Sequence, residues 1–353
     1  MLTRLCQTIR AAGKKLEVLE TPDGTRMLMF PYGARMLGLF SPQNDDSFFW
    51  SNPRLEQDAT ARSLLTSDGW HNTGGDRTWI APEWDTFFPD ANSNAYLQPR
   101  ELDMSDYDVA RIDVGCQFSR RMTLHLARAN RDVNLRLTKS FGPAANPLRR
   151  ERDMAEIAPL AEYAGYTQQV ILQSLDNAAN HAAGVGIWNL LQLPAGGEML
   201  VPLYSRTTPQ KCFGDVPADR VTIEDHLLRV KVDFNGSHKI AIKAAAVCGR
   251  AGYVYGRGDQ FSLVIRNFFV NPSGEYIDVQ RHDPDDYGYA FQICRVDEPA
   301  YGSFCELEYH APAIGAFPDP TRSEETSQVW AFRGGRDAID AIAQKLLGAA
   351  ISI

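Results

Sequence analysis

The sequence predicts an all-β protein, a large antiparallel sandwich or barrel with short peripheral helices. Three observations carry this reading. Short segments rich in β-branched, aromatic and aliphatic residues recur along most of the 353 residues, separated by Gly, Pro, Asn and Asp. Several of them alternate apolar and polar side chains with a period of two, the pattern of a half-buried strand. Helical spacing of any length is confined to the two ends, and no strand–helix–strand alternation of the kind a parallel sheet needs is present.

In chain order, Leu2, Leu5, Cys6 and Ile9 fall at helical spacing and predict a helix over residues 2–12. Strands are expected at 16–20, 26–30, 36–40 and 47–50, with Asp23-Gly24 and Pro31-Tyr32-Gly33 as turns. A helical turn is expected at 59–65, and 86–107 reads as loop because Pro, Asn, Asp and Ser fill it. Phe118, Met122, Leu124 and Leu126 then face one way while Ser119, Arg121, Thr123 and His125 face the other, and 132–139 is the partner strand. A short helix near 154–160 precedes strands at 167–175, 184–191, 198–204 and 220–224. The strongest local signal is a hairpin. Leu228, Val230, Val232 and Phe234 alternate with Arg229, Lys231 and Asp233, Asn235-Gly236 supplies the turn, and 238–246 returns. Further strands are expected at 261–269, 275–280, 288–294, 303–310 and 327–332. Ile339, Ile342 and Leu346 predict a closing helix over 335–349. With no low-complexity linker and no repeat, a single domain spanning 1–353 is expected.

Composition narrows the function classes. The chain is 44% hydrophobic and 23% charged, ordinary for a folded domain with a sizeable core. The formal net charge is -8, and the densest basic patch, Arg149-Arg150-Glu151-Arg152, is broken by an acid. Nucleic acid is therefore excluded as the expected partner. No apolar run approaches the roughly 18 residues of a membrane span, so no membrane partner is expected. The first ten residues are broken by charge and lack a signal-peptide core. The six cysteines are scattered without a C-x-x-C pair or a framework spacing, and they read as buried thiols of a reducing cytoplasm. A cytoplasmic location, no disulfide and no structural metal are the corresponding expectations. The sequon at Asn235-Gly236-Ser237 carries no meaning without secretion.

The stretch Gly69-Trp70-His71-Asn72-Thr73-Gly74-Gly75-Asp76-Arg77-Thr78-Trp79-Ile80-Ala81-Pro82-Glu83-Trp84-Asp85 concentrates tryptophans and ionisable groups around a Gly-Gly turn. Buried charges must be paired, and exposed tryptophans need a reason. Flat aromatic faces beside Asp, Arg, Glu and His suit a ligand with apolar C–H faces and a rim of hydroxyls, such as a sugar. The alternative is a Trp-anchored turn in which Arg77 and Glu83 pair with each other.

A second constellation is Phe304-Cys305-Glu306-Leu307-Glu308-Tyr309-His310-Ala311-Pro312. In a strand, Glu306, Glu308 and His310 share one face and Cys305, Leu307 and Tyr309 the other. Two carboxyls and an imidazole in a row can share protons and supply an acid/base pair, or they can line a solvent-facing strand. In the third, Gly184-Val185-Gly186-Ile187-Trp188-Asn189-Leu190-Leu191, Trp188 and Asn189 offer a stacking face and an amide, or a core strand with Trp as filler. Other templates fail: Gly256-Arg257-Gly258 lacks the third glycine and helix of a dinucleotide site. No P-loop, H-E-x-x-H or G-x-S-x-G occurs. The acidic run at 283–286 lacks EF-hand spacing, and the seven histidines include no zinc-like pair.

In this order, Gly74-Gly75-Asp76-Arg77-Thr78-Trp79-Ile80-Ala81-Pro82-Glu83, Trp188-Asn189-Leu190-Leu191-Gln192-Leu193-Pro194 and Glu306-Leu307-Glu308-Tyr309-His310-Ala311-Pro312 form a pattern. It resembles bacterial proteins of the galactose-mutarotase-like superfamily, relatives of aldose 1-epimerase. Gly249-Arg250-Ala251-Gly252-Tyr253 and Gly274-Glu275-Tyr276-Ile277-Asp278-Val279 also fit. The resemblance runs from about residue 20 to 335 and implies a β-supersandwich with a sugar cleft. It also implies a late-strand Glu that takes the anomeric proton, matched by Glu306 or Glu308, and a His that protonates the ring oxygen. Here the chain departs from the pattern. Thr73 stands where a His precedes the double glycine, and Val185 and Gly186 stand where the mid-chain His belongs. His71, His181 or His310 would have to substitute in space.

The resulting expectation is a carbohydrate-binding protein of mutarotase-like fold with sugar-epimerase chemistry. Its alternatives are a carboxylate-pair glycoside-cleaving enzyme and a non-catalytic sugar-sensing or structural module. Glu308, Glu306 and His71 are the candidate catalytic residues, with Glu308 preferred as base for its flanking Leu307 and Tyr309. Asp76, Arg77, Trp79, Glu83, Trp188, Asn189 and His310 are the candidate substrate-binding residues, and Arg77, Trp79 and Glu83 are expected to share one cleft with Glu306 and Glu308. The implied partner is a small-molecule sugar, with no cofactor and no metal; the oligomeric state stays open.

Overall fold

The period-two patterning resolves into two antiparallel sheets. The computed structural model describes residues 1–93, 95–176, 184–280, 285–315 and 321–353. In chain order its strands are β1 (Glu17–Glu20), β2 (Arg26–Phe30), β3 (Arg35–Phe40), β4 (Asp76–Ala81), β5 (Asp108–Ile112), β6 (Gly115–Leu126), β7 (Arg131–Pro143), β8 (Ala161–Ser174), β9 (Gly186–Pro194) and β10 (Glu198–Pro202). They continue as β11 (Gln210–Phe213), β12 (Val221–Ile223), β13 (Leu227–Lys231), β14 (His238–Lys243), β15 (Arg250–Arg257), β16 (Gln260–Asn267), β17 (Tyr289–Glu298), β18 (Gly302–His310) and β19 (Arg322–Gly334). The helices are α1 (Leu2–Ala11), α2 (Asp58–Thr66), α3 (Glu83–Thr86), α4 (Arg100–Asp103) and α5 (Arg336–Leu347).

Among the described residues one sheet is 9-stranded, in the order β1-β2-β3-β4-β9-β18-β17-β14-β11. The other is 10-stranded, in the order β12-β13-β10-β15-β16-β19-β8-β7-β6-β5. Their inner faces share one buried apolar cluster, with Met27, Ile187, Leu191, Ile293 and Leu307 from the first sheet and Leu135, Val170, Val264 and Val329 from the second. This is the all-β supersandwich. The helices are peripheral: α1 and α2 cover Leu28, Phe30, Leu37 and Phe40 on the outer face of the 9-stranded sheet. On the outer face of the other sheet, α5 covers Leu200, Val254, Leu263 and Phe332. It stops at Gly348, whose φ of 68° lets its N–H reach back to the Gln344 carbonyl. No helix among the described residues is long and apolar enough to cross a membrane.

Several expectations are corrected. The hairpin around Asn235-Gly236 does not pair with itself. Gly236 does turn the chain, with φ of 95°, but β13 joins the 10-stranded sheet and β14 the 9-stranded one. Both edges of β13 are taken by β10 and β12, and both edges of β14 by β11 and β17. Leu228 and Ile240 thus reach the same core from opposite sheets. An Asn-Gly turn fixes a reversal; the pairing follows from burial. Residues 47–50 and 275–280 form no strand, and the helix near 154–160 is two single 3-10 turns, Arg152–Met154 and Ala158–Leu160. The loop 86–107 holds α4. β4 was hidden by its charges, and β5, β11 and β15 were also unexpected.

The start of β4 explains the double glycine. Gly74 and Gly75 have φ of 93° and 79°, and a Cβ there would lie 2.4 Å from the Trp50 carbonyl oxygen and 2.3 Å from that of Met36. Only glycine tolerates both the angle and the approach. That seats β4 between β3 and β9.

Charges are buried between the sheets as well. Lys139 on β7 is fully buried, and its Nζ has no hydrogen-bond partner. Burial, only partly offset by Asp76, pushes its pKa down to about 7. Because the folded value lies below that of a free lysine, the unfolded chain binds the extra proton between about pH 7 and pH 10.5. Stability therefore rises with pH across that window, and the penalty is full below it. Lys139→Met is expected to stabilise the protein by about 2–4 kcal/mol at pH 7 and by little near pH 10.5. Urea unfolding at the two pH values checks this; a gain independent of pH would contradict it.

Candidate functional site

The outer face of the 9-stranded sheet carries a cavity of about 770 Å³. Strand parity decides what enters it. On β4, Arg77 and Trp79 line the cavity while Asp76 and Thr78 point between the sheets. On β9, Trp188 and Leu190 line it, and on β18, Phe304, Glu306 and Glu308 do. The register sets Glu308 opposite Leu190 and Gln292, and Glu306 opposite Gln192 and Cys294. β14 adds Lys239, opposite Cys294.

The carboxyls are held by named partners. Glu306 Oε1 accepts from Arg77 Nη2 at 2.8 Å and from Gln192 Nε2 at 3.0 Å. Glu308 Oε2 accepts from Trp188 Nε1 at 2.7 Å and pairs with Lys239 Nζ at 3.2 Å, while its Oε1 has no partner in the protein. Lys239 Nζ also lies 3.1 Å from Glu83 Oε2, and Glu83 Oε1 accepts from Tyr96 at 2.6 Å. Asp278 fixes Glu83 from behind by accepting its backbone N–H at 2.8 Å.

Burial, opposed by Lys239 and reinforced by Glu306 and Glu83, pushes Glu308 up to about 8. At neutral pH Glu308 therefore holds a proton. Both donors sit on Oε2, so that proton belongs on the unpartnered Oε1. Burial works against the Lys239 ammonium, yet Glu308, Glu83 and Asp278 together hold its pKa well above the usual lysine range.

Aromatic rings form the wall. Trp79 is only 3% exposed: the Arg77 guanidinium lies 4.1 Å from its ring centre, with Phe87 at 4.4 Å and Trp188 edge-on at 5.3 Å. The half-buried rings of Trp70 and Tyr301, 5.5 Å apart, offer more accessible faces.

Of the residues selected from the sequence, Arg77, Trp79, Glu83, Trp188, Glu306 and Glu308 line this one cavity. The others do not. Asp76 and Asn189 point between the sheets, Asp76 against Arg266 and Asn189 against Thr78. His71 is buried with Nδ1 on Tyr32 Oη at 2.8 Å and Nε2 on the Ser67 carbonyl at 2.7 Å, so both ring nitrogens serve the fold. His310 lies behind Trp188, stacked at 5.5 Å, with Nε2 3.8 Å from Asp278. Burial pushes it down to about 4, so it is neutral at pH 7 and no acid. His181 lies outside the described residues.

Lys239, Tyr96 and Tyr301 stand outside the stretches singled out in the sequence, and Trp70 and Asp278 stand inside them without being selected as site residues. Lys239 carried a signal: with Ile240 and Ile242 in the core, parity puts a lysine on the opposite face of a buried strand. Asp278 stood in a segment that fits the resemblance, but that segment is not a strand, so parity could not aim its side chain.

Cys294 Sγ and one oxygen each of Glu306 and Glu308 lie within 4.8 Å of one another. A metal ion there would have to displace Arg77 and Lys239, and burial holds the Cys294 thiol well above its ordinary pKa. The donor set suits protons better than a cation. All six cysteines are free thiols.

A family model described as "Family of unknown function (DUF6786)" matches residues 13–353. The chain belongs to this family. No curated protein matches it. Among solved structures, the DUF6786 chain is similar to a galactose mutarotase related enzyme from Lactobacillus acidophilus, at 8% identity and a TM-score of 0.45, over 96% of this chain and 100% of that one. It is also similar to 4-alpha-glucanotransferase from Thermococcus litoralis, at 8% identity and TM-score 0.37, over 90% of this chain and 39% of the other. A third is the galactosidase domain of the alpha-galactosidase-sucrose kinase AgaSK, at 9% identity and TM-score 0.36, over 93% and 42%.

Proposed function

We propose that this DUF6786 protein binds a monosaccharide in the cavity and interconverts its anomers through Glu306 and Glu308. One observation carries the reading: oxygens of the two carboxyls lie within 4.8 Å of each other on one face of one strand. Opening a pyranose takes a proton from the anomeric hydroxyl and gives one to the ring oxygen, and both oxygens sit on the same carbon. Two carboxyls side by side serve that pair of atoms. Cleaving a glycosidic bond instead needs carboxyls that flank the bond from two sides, whereas these two project side by side from one strand face.

The roles follow from the partners, and they revise the expectation that Glu308 is the base. Glu306, ion-paired with Arg77, takes the anomeric proton. Glu308 gives its Oε1 proton to the ring oxygen, the bond from that oxygen to the anomeric carbon breaks, and the open-chain aldehyde forms. After rotation the ring closes and both protons return. The motifs resembling mutarotase-like proteins support the same substrate class, and the missing mid-chain His is answered by Glu308 as acid. Polarimetry of freshly dissolved aldoses tests the reading: the protein should accelerate anomer exchange of at least one common aldose. Saturable binding without acceleration leaves a sugar-binding module, and neither outcome with any aldose ends the proposal.

A further inference from the structure

We infer that Lys239 is a positioning residue of this site: it stabilises the ionised Glu308 left behind when the carboxyl gives up its proton, and Glu83 sets how strongly it does so. The catalytic meaning rests on the proposed anomer exchange; the coupling of the three side chains stands on geometry alone. Lys239 is 3% exposed, with Nζ 3.2 Å from Glu308 Oε2, 3.1 Å from Glu83 Oε2 and 4.3 Å above the Trp188 ring. An ammonium so confined cannot swing away, and its alignment costs nothing at the moment of reaction.

The charge balance makes it necessary. When Oε1 releases its proton, Glu308 becomes a fully buried anion with Glu306 beside it on β18, Cys294 on β17, Glu83 on α3 and Asp278 in the loop before β17. Arg77 on β4 is committed to Glu306, and the buried His310 faces Asp278. Cys212 on β11 brings no positive charge. Among the described residues Lys239 is the cation paired with Glu308, and Glu83 competes for it. Lys239 stays an ammonium throughout, so the proton inventory of the reaction is unchanged.

The test reads Glu308 directly, by carbon-13 NMR of labelled glutamate side chains during a pH titration of the full chain. Lys239→Met should raise the Glu308 midpoint, increasing proton affinity at least about tenfold. Glu83→Gln should lower the midpoint, and Lys239→Arg should stay close to wild type. If the exchange activity is present, Lys239→Met should lower kcat about 10–100-fold with little change in KM, a loss the arginine variant largely restores. A merely structural lysine would not move the midpoint in opposite directions in the two variants. Midpoints that stay put, or that move the same way, overturn the inference, as does an unchanged kcat in Lys239→Met. Should Lys239→Met fail to fold, Lys239→Gln takes its place in the same titration, because Glu83→Gln lowers the midpoint through its own lost charge as well. Opposite shifts in a protein that exchanges no anomers keep the coupling and end the proposed function instead.

Discussion

Asp76→Asn is expected to lower stability by about 3–5 kcal/mol while leaving the cavity's ligand binding unchanged in the folded fraction. Asp76 and Arg266 are both fully buried between the sheets, with Nη1 2.5 Å from Oδ2, and Tyr166 donates to the same oxygen. Arg266 also donates to Ser327 Oγ at 3.0 Å, and its guanidinium lies 4.9 Å from the Tyr309 ring centre. An asparagine keeps the shape and removes the charge, leaving a guanidinium buried without its anion. Removing one member of a buried pair is the costly operation; replacing both is milder. The double variant Asp76→Asn, Arg266→Met should therefore be more stable than the sum of the two single losses. Urea unfolding of the three variants checks this. Single losses below about 1 kcal/mol would contradict it.

That variant also exposes the limit of reading a site from one dimension. Asp76 and Arg77, like Trp188 and Asn189, are neighbours in sequence and opposites in space, because adjacent strand residues point to opposite faces. The sequence showed both pairs as chemistry-bearing, but nothing in it says which parity meets the cavity. Glu306 and Glu308 were easier, since their spacing puts them on one face whichever face that is. The sheets themselves were legible where one face is apolar, as in β6 with Phe118 and Leu124. They were illegible where a buried strand carries paired charges, as in β4 with Asp76 against Arg266 and Arg77 against Glu306. His71 looked available because it stands near the double glycine; Tyr32 and the Ser67 carbonyl, which occupy it, come from elsewhere in the chain. Lys239 is one polar position in an apolar strand, and only the pairing of β14 with β17 brings it to the carboxyls.

For Glu308→Gln, the expected result is a loss of about 10²–10⁴-fold in catalysed anomer exchange, the usual range for removing a general acid, with sugar binding retained. The glutamine keeps an oxygen for Trp188 Nε1 but has no proton to transfer. In the wild type, exchange should fall as pH rises through about 8, because the donor form of Glu308 exists below that value. The fold should not suffer. A carboxyl whose folded pKa is raised above its free value destabilises the native state as pH climbs from about 4.5 to 8, and the amide removes that penalty. Polarimetry across pH 6–9 reads both effects. Full activity in the glutamine variant would assign the proton transfer elsewhere.

The most direct test of the central claim is a crystal of the protein soaked in an equimolar mixture of D-glucose, D-galactose, D-mannose and D-xylose. A pyranose should appear in the cavity against Trp70 and Tyr301, its ring oxygen within about 2.6–3.2 Å of Glu308 Oε1 and its anomeric hydroxyl beside Glu306. No sugar at saturating concentration, or a sugar whose anomeric carbon points away from the two carboxyls, would contradict the account.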